Sequence, residues 1–107
     1  MKIVRNNIIP FRGFRAINLF GILFVRGAAE VTGTVINHER IHSMQMRETG
    51  YVLFYVWYFI EWLVRLALSG DAYRSISFER EAYTNQTDFS YLERREPFAW
   101  VSYIKSK

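Results

Sequence analysis

Residues 34–48 read Thr-Val-Ile-Asn-His-Glu-Arg-Ile-His-Ser-Met-Gln-Met-Arg-Glu, and this stretch decides the fold. His38 and His42 are the only histidines in the chain, four residues apart, with Glu39 directly after the first. Positions i and i+4 lie on one face of a helix, one turn apart. Two imidazoles so placed can grip one Zn2+, and a glutamate beside the first can activate a water on that metal. Chance placement of these three residues would arise on the order of once in a thousand such chains, so the pattern reads as a site rather than a coincidence. The spacing predicts a helix from about Val35 to about Glu48. Thr34 suits the N-cap, because its hydroxyl can accept from an otherwise unpaired N–H of the first turn. Gly50 suits the stop. Ile36, Met44 and Met46 are the expected apolar contacts of this helix.

Tyr51 to Leu68 follows and is the most hydrophobic stretch. Its first ten residues are apolar around the whole circumference, so the helix is predicted either to be deeply buried or to meet lipid. A transmembrane span needs about 20 largely apolar residues. Glu61 and Arg65 interrupt this one, and at i, i+4 spacing they can pair on one face. The preferred reading is a core helix behind the histidine helix, with a membrane-associated helix as the alternative.

Upstream, residues 1–15 read as an irregular basic arm broken by Pro10 and Gly13. Ala16–Phe20 and Ile22–Arg26 are short and apolar with Gly21 between them, which predicts one kinked strand or two short ones. Glu30–Thr34 reads as a further strand or as the lead into the helix. Downstream, Ser77 can cap a helix from Phe78 to about Asn85, a helical turn is expected around Asp88–Arg95, and Phe98–Ile104 is expected to be helical and packed back on the core.

The chain has 107 residues, half of them apolar and 18% aromatic, which suits a single small domain with its own core. There is no cysteine, which excludes disulfides and thiolate metal sites. The net charge is +4, and Lys2, Arg5, Arg12, Arg15 and Arg26 all precede the first acid, Glu30. Such a start can attract nucleic acid or anionic lipid. No nucleic-acid-binding motif accompanies it, so these are read as solvated cations and no nucleic-acid partner is expected. The apolar run Ala16–Val25 imitates a signal peptide, but Asn18, Gly21 and Arg26 argue against cleavage there.

A catalytic zinc site takes three protein ligands and keeps one position open. Without cysteine or a third histidine, the third ligand must be a carboxylate. Glu48 lies on the histidine helix and cannot fold back; Glu61 has Arg65 as its partner. Glu79 and Glu81 lie in Ser77-Phe78-Glu79-Arg80-Glu81-Ala82-Tyr83. Two residues apart on a helix, they point about 200° from each other, so only one can reach the metal. Small Ala82 lies on nearly the same side as Glu79 and permits close approach of two helices. Glu79 is therefore preferred, and Glu81 is read as a surface charge beside Arg80. Asn37 and Gln45, close to the histidines, can each support a metal-facing imidazole from behind, but the preferred reading is that both are ordinary polar positions.

His38-Glu39-Arg40-Ile41-His42, followed on a later helix by Glu79-Arg80-Glu81-Ala82, resembles the gluzincin metallopeptidases. In size the chain is most similar to the minigluzincins, minimal scaffolds that look like the catalytic domains of integral-membrane metallopeptidases. Those relatives carry an aspartate where Tyr83 stands here. The resemblance implies an α+β, mainly helical fold, with short N-terminal β strands beside an active-site helix, a hydrophobic backing helix and a glutamate helix. It implies one zincin-like domain over residues 1–107, with residues 86–107 as a tail packed on the core. It implies Zn2+ held by His38, His42 and Glu79, with Glu39 as general base, and peptide or protein as substrate. The family binds peptide along an edge strand, for which Ile22–Arg26 is the candidate, and Tyr83 or Tyr73 would stabilise an oxyanion. Two alternatives are a zinc-binding protein without peptidase activity and a membrane-surface module. The expected location is the cytoplasm, with membrane association as the alternative.

Overall fold

Pairing with a strand some twenty residues later makes a strand of part of what the sequence presents as an arm. In the computed structural model, which describes residues 1–9, 15–69 and 75–104, Lys2–Asn6 forms β1. It pairs in parallel with β3, Ile22–Arg26, whose other side pairs antiparallel with β2, Ala16–Leu19. The expectation of an irregular segment over residues 1–15 is thus corrected for Lys2–Asn6. The cause is non-local: Arg5 extends its guanidinium to the carbonyl oxygens of Gly27 and Ala29, at 3.0 Å each, which ties the strand down. The breaks expected at Pro10 and Gly13, the helix end at Gly70, the connection from Asp71 and the phenol of Tyr73 lie outside the described residues.

The two apolar runs are a hairpin. Leu19 pairs with Ile22, leaving Phe20 and Gly21 as a two-residue turn at φ 53° and 91°. Positive φ at both positions gives the turn whose twist matches the strands it joins, and Gly21 meets that demand at no steric cost. Leu23 and Val25 of β3 are fully buried, and the polar Asn18 of β2 is buried too.

The histidine helix, α1, spans Gly33–Thr49. Its cap is Thr32 rather than Thr34: the Thr32 hydroxyl accepts from the Val35 N–H at 3.2 Å, so the helix starts at Gly33 and not at Val35. It ends, as expected, at Gly50 in the left-handed conformation. Ile41, inside the motif, and Met46 are its fully buried apolar residues; Ile36 and Met44 are only half-buried. The hydrophobic helix, α2, spans Val52–Ser69. It contributes Phe54 to a core completed by Met46, Ile76, Phe78 and Trp100. Phe54 stacks on Phe78 at 4.5 Å between ring centres, and Phe78 meets Trp100 edge-on at 4.8 Å. Burial of each such ring contributes about 2–3 kcal/mol.

The glutamate helix, α3, spans Ser77–Asn85. Ser77 is its first residue and not its cap: its N–H and hydroxyl both donate to the Glu61 carboxylate of α2. Buried Glu61 thus caps α3 from across the core and also accepts from the Trp57 indole at 2.7 Å. The tail follows as a short helix α4, Tyr91–Arg94, and a 3-10 turn, Ala99–Tyr103, which returns Trp100 to the core as expected. The result is an α+β, mainly helical fold with N-terminal strands.

Candidate metal centre

The i, i+4 spacing on α1 brings the two imidazoles together, with their Nε2 atoms 3.1 Å apart. Glu79 on α3 places its Oε1 3.1 Å from each of them. The three ligand atoms form a nearly equilateral triangle. Ligand–metal bonds of about 2.0–2.1 Å in a tetrahedron require an edge of about 3.3 Å, so the triangle matches the base of such a shell. All three residues are buried, and this group can hold a metal ion. Fully buried Ala82 permits the close approach of α3 to α1 expected of it.

Both imidazoles are oriented from behind by carboxamides. Gln45, on the next turn of α1, donates from Nε2 to the Phe78 carbonyl at 3.0 Å and to the Glu81 carboxylate at 2.9 Å. Both are acceptors only, so its Oε1 must face His42. His42 therefore donates from Nδ1 at 2.7 Å, which turns its Nε2 towards Glu79 and His38. Gln86 does the same for His38, with its Oε1 2.8 Å from Nδ1. Gln86 is itself delivered by Asn37, whose amide reaches the carbonyls of Asn85, Gln86 and Asp88 at the end of α3. Gln45 and Asn37 are thus not ordinary polar positions. They support the histidines, and they do so without a charge.

Glu81 is also not the surface charge expected. It is fully buried and accepts from Gln45, from the Tyr91 hydroxyl at 2.7 Å and from Arg95. Arg95 forks between Glu81 and Glu48, reaching Glu48 at 2.7 and 3.0 Å. The tail thereby supplies the counterion for a carboxylate two steps from the metal-facing ring. Glu79 and Glu81 point apart, as their spacing requires, one to the imidazoles and one to Arg95.

Burial would depress the basicity of His42, but the Glu79 charge beside it prevails, with Glu39 and Gln45 adding to it, and its pKa rises to about 9. Burial likewise opposes the charged form of Glu79. The His42 charge and hydrogen bonds from His38, His42 and Tyr58 nevertheless hold that carboxyl well below the usual range.

A cavity of about 310 Å3 opens beside the triad, lined by Glu39, His42 and Glu79 together with Asn18, Tyr55 and Tyr58. Glu39 thus faces the same space as two of the ligands. Tyr58 donates to Glu79 Oε2 at 2.7 Å. Asn18 donates to the Glu39 carbonyl at 3.0 Å and to Ser43 at 3.2 Å, which docks β2 on the motif. Tyr83 packs edge-on against His38 at 4.6 Å between ring centres. Tyr58, Tyr55, Gln86 and Asn18 are the site residues that motif reasoning passes over. For Tyr58 a signal exists: it shares one helical arc with Tyr55, Glu61 and Arg65, the polar-tipped residues of an otherwise apolar helix.

The strand beside the cavity is β2. Ala16, Ile17 and Asn18 line it, whereas Ile22–Arg26 is the central strand with both sides paired and cannot serve as the edge expected of it. Comparison with protein-family models, with curated proteins and with solved structures finds no match.

Proposed function

We propose that the protein is a zinc-dependent peptidase. The observation that carries this reading is the triangle of His38, His42 and Glu79 atoms at 3.1 Å spacing, open to a cavity that Glu39 also lines. Two imidazoles and one carboxylate form the donor set of hydrolytic zinc enzymes, and zinc accepts it without preference for geometry. When bound, zinc supplies a Lewis acid that makes water nucleophilic near neutral pH. Glu39 takes the proton released in the attack and returns it to the leaving amine. Tyr58 holds the Glu79 carboxylate so that one oxygen stays on the imidazole side. A substrate in extended form adds to the outer edge of β2, where main-chain hydrogen bonds register it against Glu39. Asn18 keeps that strand at a fixed distance from α1.

The test is metal content and turnover together. Wild-type protein is expected to carry about one zinc per chain, and His42→Ala to lose it. Glu39→Gln is expected to keep the zinc and lose cleavage of a peptide library. Wild-type protein that binds no metal, or a Glu39→Gln variant that still cleaves, overturns the proposal. The small cavity, near the lower limit of about 300 Å3 for ligand sites, favours a second reading, a zinc protein without peptidase activity. Zinc at full occupancy with no cleavage of any library peptide selects it.

A further inference from the structure

The helix α2 is built inside out. Its inward arc, about 120° wide at 100° per residue, holds Phe54, Tyr55, Tyr58, Glu61, Trp62 and Arg65. Both of its charges and both of its described hydroxyls are there. Glu61 is engaged with Ser77, Arg65 with the Ile104 carbonyl at 2.6 Å, and Tyr58 with Glu79. The opposite arc is solvent-facing, and among the described residues every exposed position from Val52 to Leu68 is apolar. Val52, Leu53, Phe59 and Leu68 are 63%, 62%, 58% and 73% exposed. Even the polar atom of the exposed Trp57 turns inward, to Glu61. A surface helix of a water-soluble domain shows the reverse distribution.

The exposed arc is about 200° wide. A partner helix covers a stripe of roughly 100°, which would leave half of this arc in water. Lipid covers an arc of any width. Charge points the same way. The chain carries 14 basic and 10 acidic residues, and three acids, Glu61, Glu79 and Glu81, are buried, as against one basic side chain, that of Arg95, so the remaining charge is more basic than the net +4. No single described helix is long and apolar enough to cross a membrane.

We propose that α2 is a membrane-docking helix, lying in the interface of an anionic bilayer with its Val52–Leu68 apolar arc in the acyl region. The helix presents about 25 Å of continuous apolar length to the bilayer and hands its polar groups to the protein. Tyr55 and Tyr58 line both the metal-site cavity and an adjoining cavity with Phe59 and Trp62, so docking places the metal centre close to the lipid surface.

The test is flotation of the full chain with phosphatidylcholine vesicles, with and without phosphatidylserine. The protein is expected to float with the anionic vesicles, and the double variant Ile60→Gln/Leu63→Gln to lose about tenfold or more of its partitioning. Ile8→Gln, at a position 80% exposed but outside α2, is expected to float like wild type. Brominated acyl chains are expected to quench tryptophan fluorescence of the wild-type protein, a readout that needs no variant. Wild-type protein that stays at the bottom of the gradient overturns the proposal. So does flotation indifferent to Ile60 and Leu63, or a vesicle-free dimer that the same double variant dissociates and that does not float. Metal content unchanged in the double variant separates this result from the fate of the peptidase reading.

Discussion

Tyr58 of α2 donates its hydroxyl hydrogen to Oε2 of Glu79 on α3 at 2.7 Å, on the carboxylate whose other oxygen faces both imidazoles. One phenol thus links the apolar helix to the metal centre. Tyr58→Phe removes the donor and leaves a buried, charged oxygen unsatisfied. The expected cost is about 2 kcal/mol in denaturant unfolding. Zinc affinity is expected to fall about tenfold in competition with a chromophoric chelator.

Gln45 bridges His42 and Glu81, its carboxamide presenting an acceptor to one and donors to the other. Gln45→Leu conserves much of the volume but releases the imidazole and strands a carboxylate. Zinc affinity is expected to drop 10- to 100-fold, roughly. Gln45→Glu sets two carboxylates against each other and is expected to destabilise the metal-free protein more than Gln45→Leu does.

The pairing of His42 with Glu79 makes the metal-free protein sensitive to pH. His42 titrates at 6.5 when unfolded and at about 9 when folded, so its stabilisation is complete below 6.5 and is lost as pH rises to about 9. Glu79 is shifted downward, so its contribution is present above its ordinary 4.5 and lost as pH falls through the lowered value. Metal-free protein is expected to be most stable between about pH 4.5 and 6.5, and to lose about 3 kcal/mol by pH 9, counted once for the pair. Denaturant melts of chelator-treated protein across this range check it. Zinc binding has the opposite slope, because the His42 proton must leave: affinity is expected to rise about tenfold per pH unit between 7 and 9.

Arg95 is the shared partner of Glu48 and Glu81, with its side chain only 2% exposed. Arg95→Met leaves two inward carboxylates without their cation. A loss of about 3–5 kcal/mol is expected, which for a chain of this size lowers the melting temperature by more than about 15 °C. Adding Glu81→Gln to Arg95→Met is expected to restore part of it.

Asn18 is a buried amide on a strand whose neighbours are apolar. Asn18→Ala removes donors to the Glu39 carbonyl and to Ser43, and an acceptor for the Gly21 N–H. A loss of about 2–3 kcal/mol is expected by denaturant titration. If β2 registers the substrate, KM is expected to rise with zinc content unchanged.

What was readable in the sequence was local. The histidine helix announces itself by spacing, its end by Gly50, and the third ligand by Glu79 with Ala82 one turn on. The rest depends on partners far along the chain. Strand β1 has too few apolar residues to signal itself and exists because β3 offers it an edge. Whether Ile22–Arg26 is a centre or an edge is a property of three strands together, not of its own five residues. Glu81 reads as solvated because its cation lies fourteen residues later, on an element with no strong pattern of its own. For α2 the sequence shows an apolar circumference, but which arc is buried is set by Ser77, Glu79 and Ile104, the groups that capture its polar side chains.

The reach of Arg95 and Gln86 back into the core has a consequence for biosynthesis. A nascent chain synthesised as far as Asn85 already contains His38, Glu39, His42 and Glu79. It contains neither the carboxamide that orients His38 nor the cation that neutralises Glu81. The complete set of contacts around His38, His42 and Glu79 therefore forms only once the chain has been synthesised past Arg95.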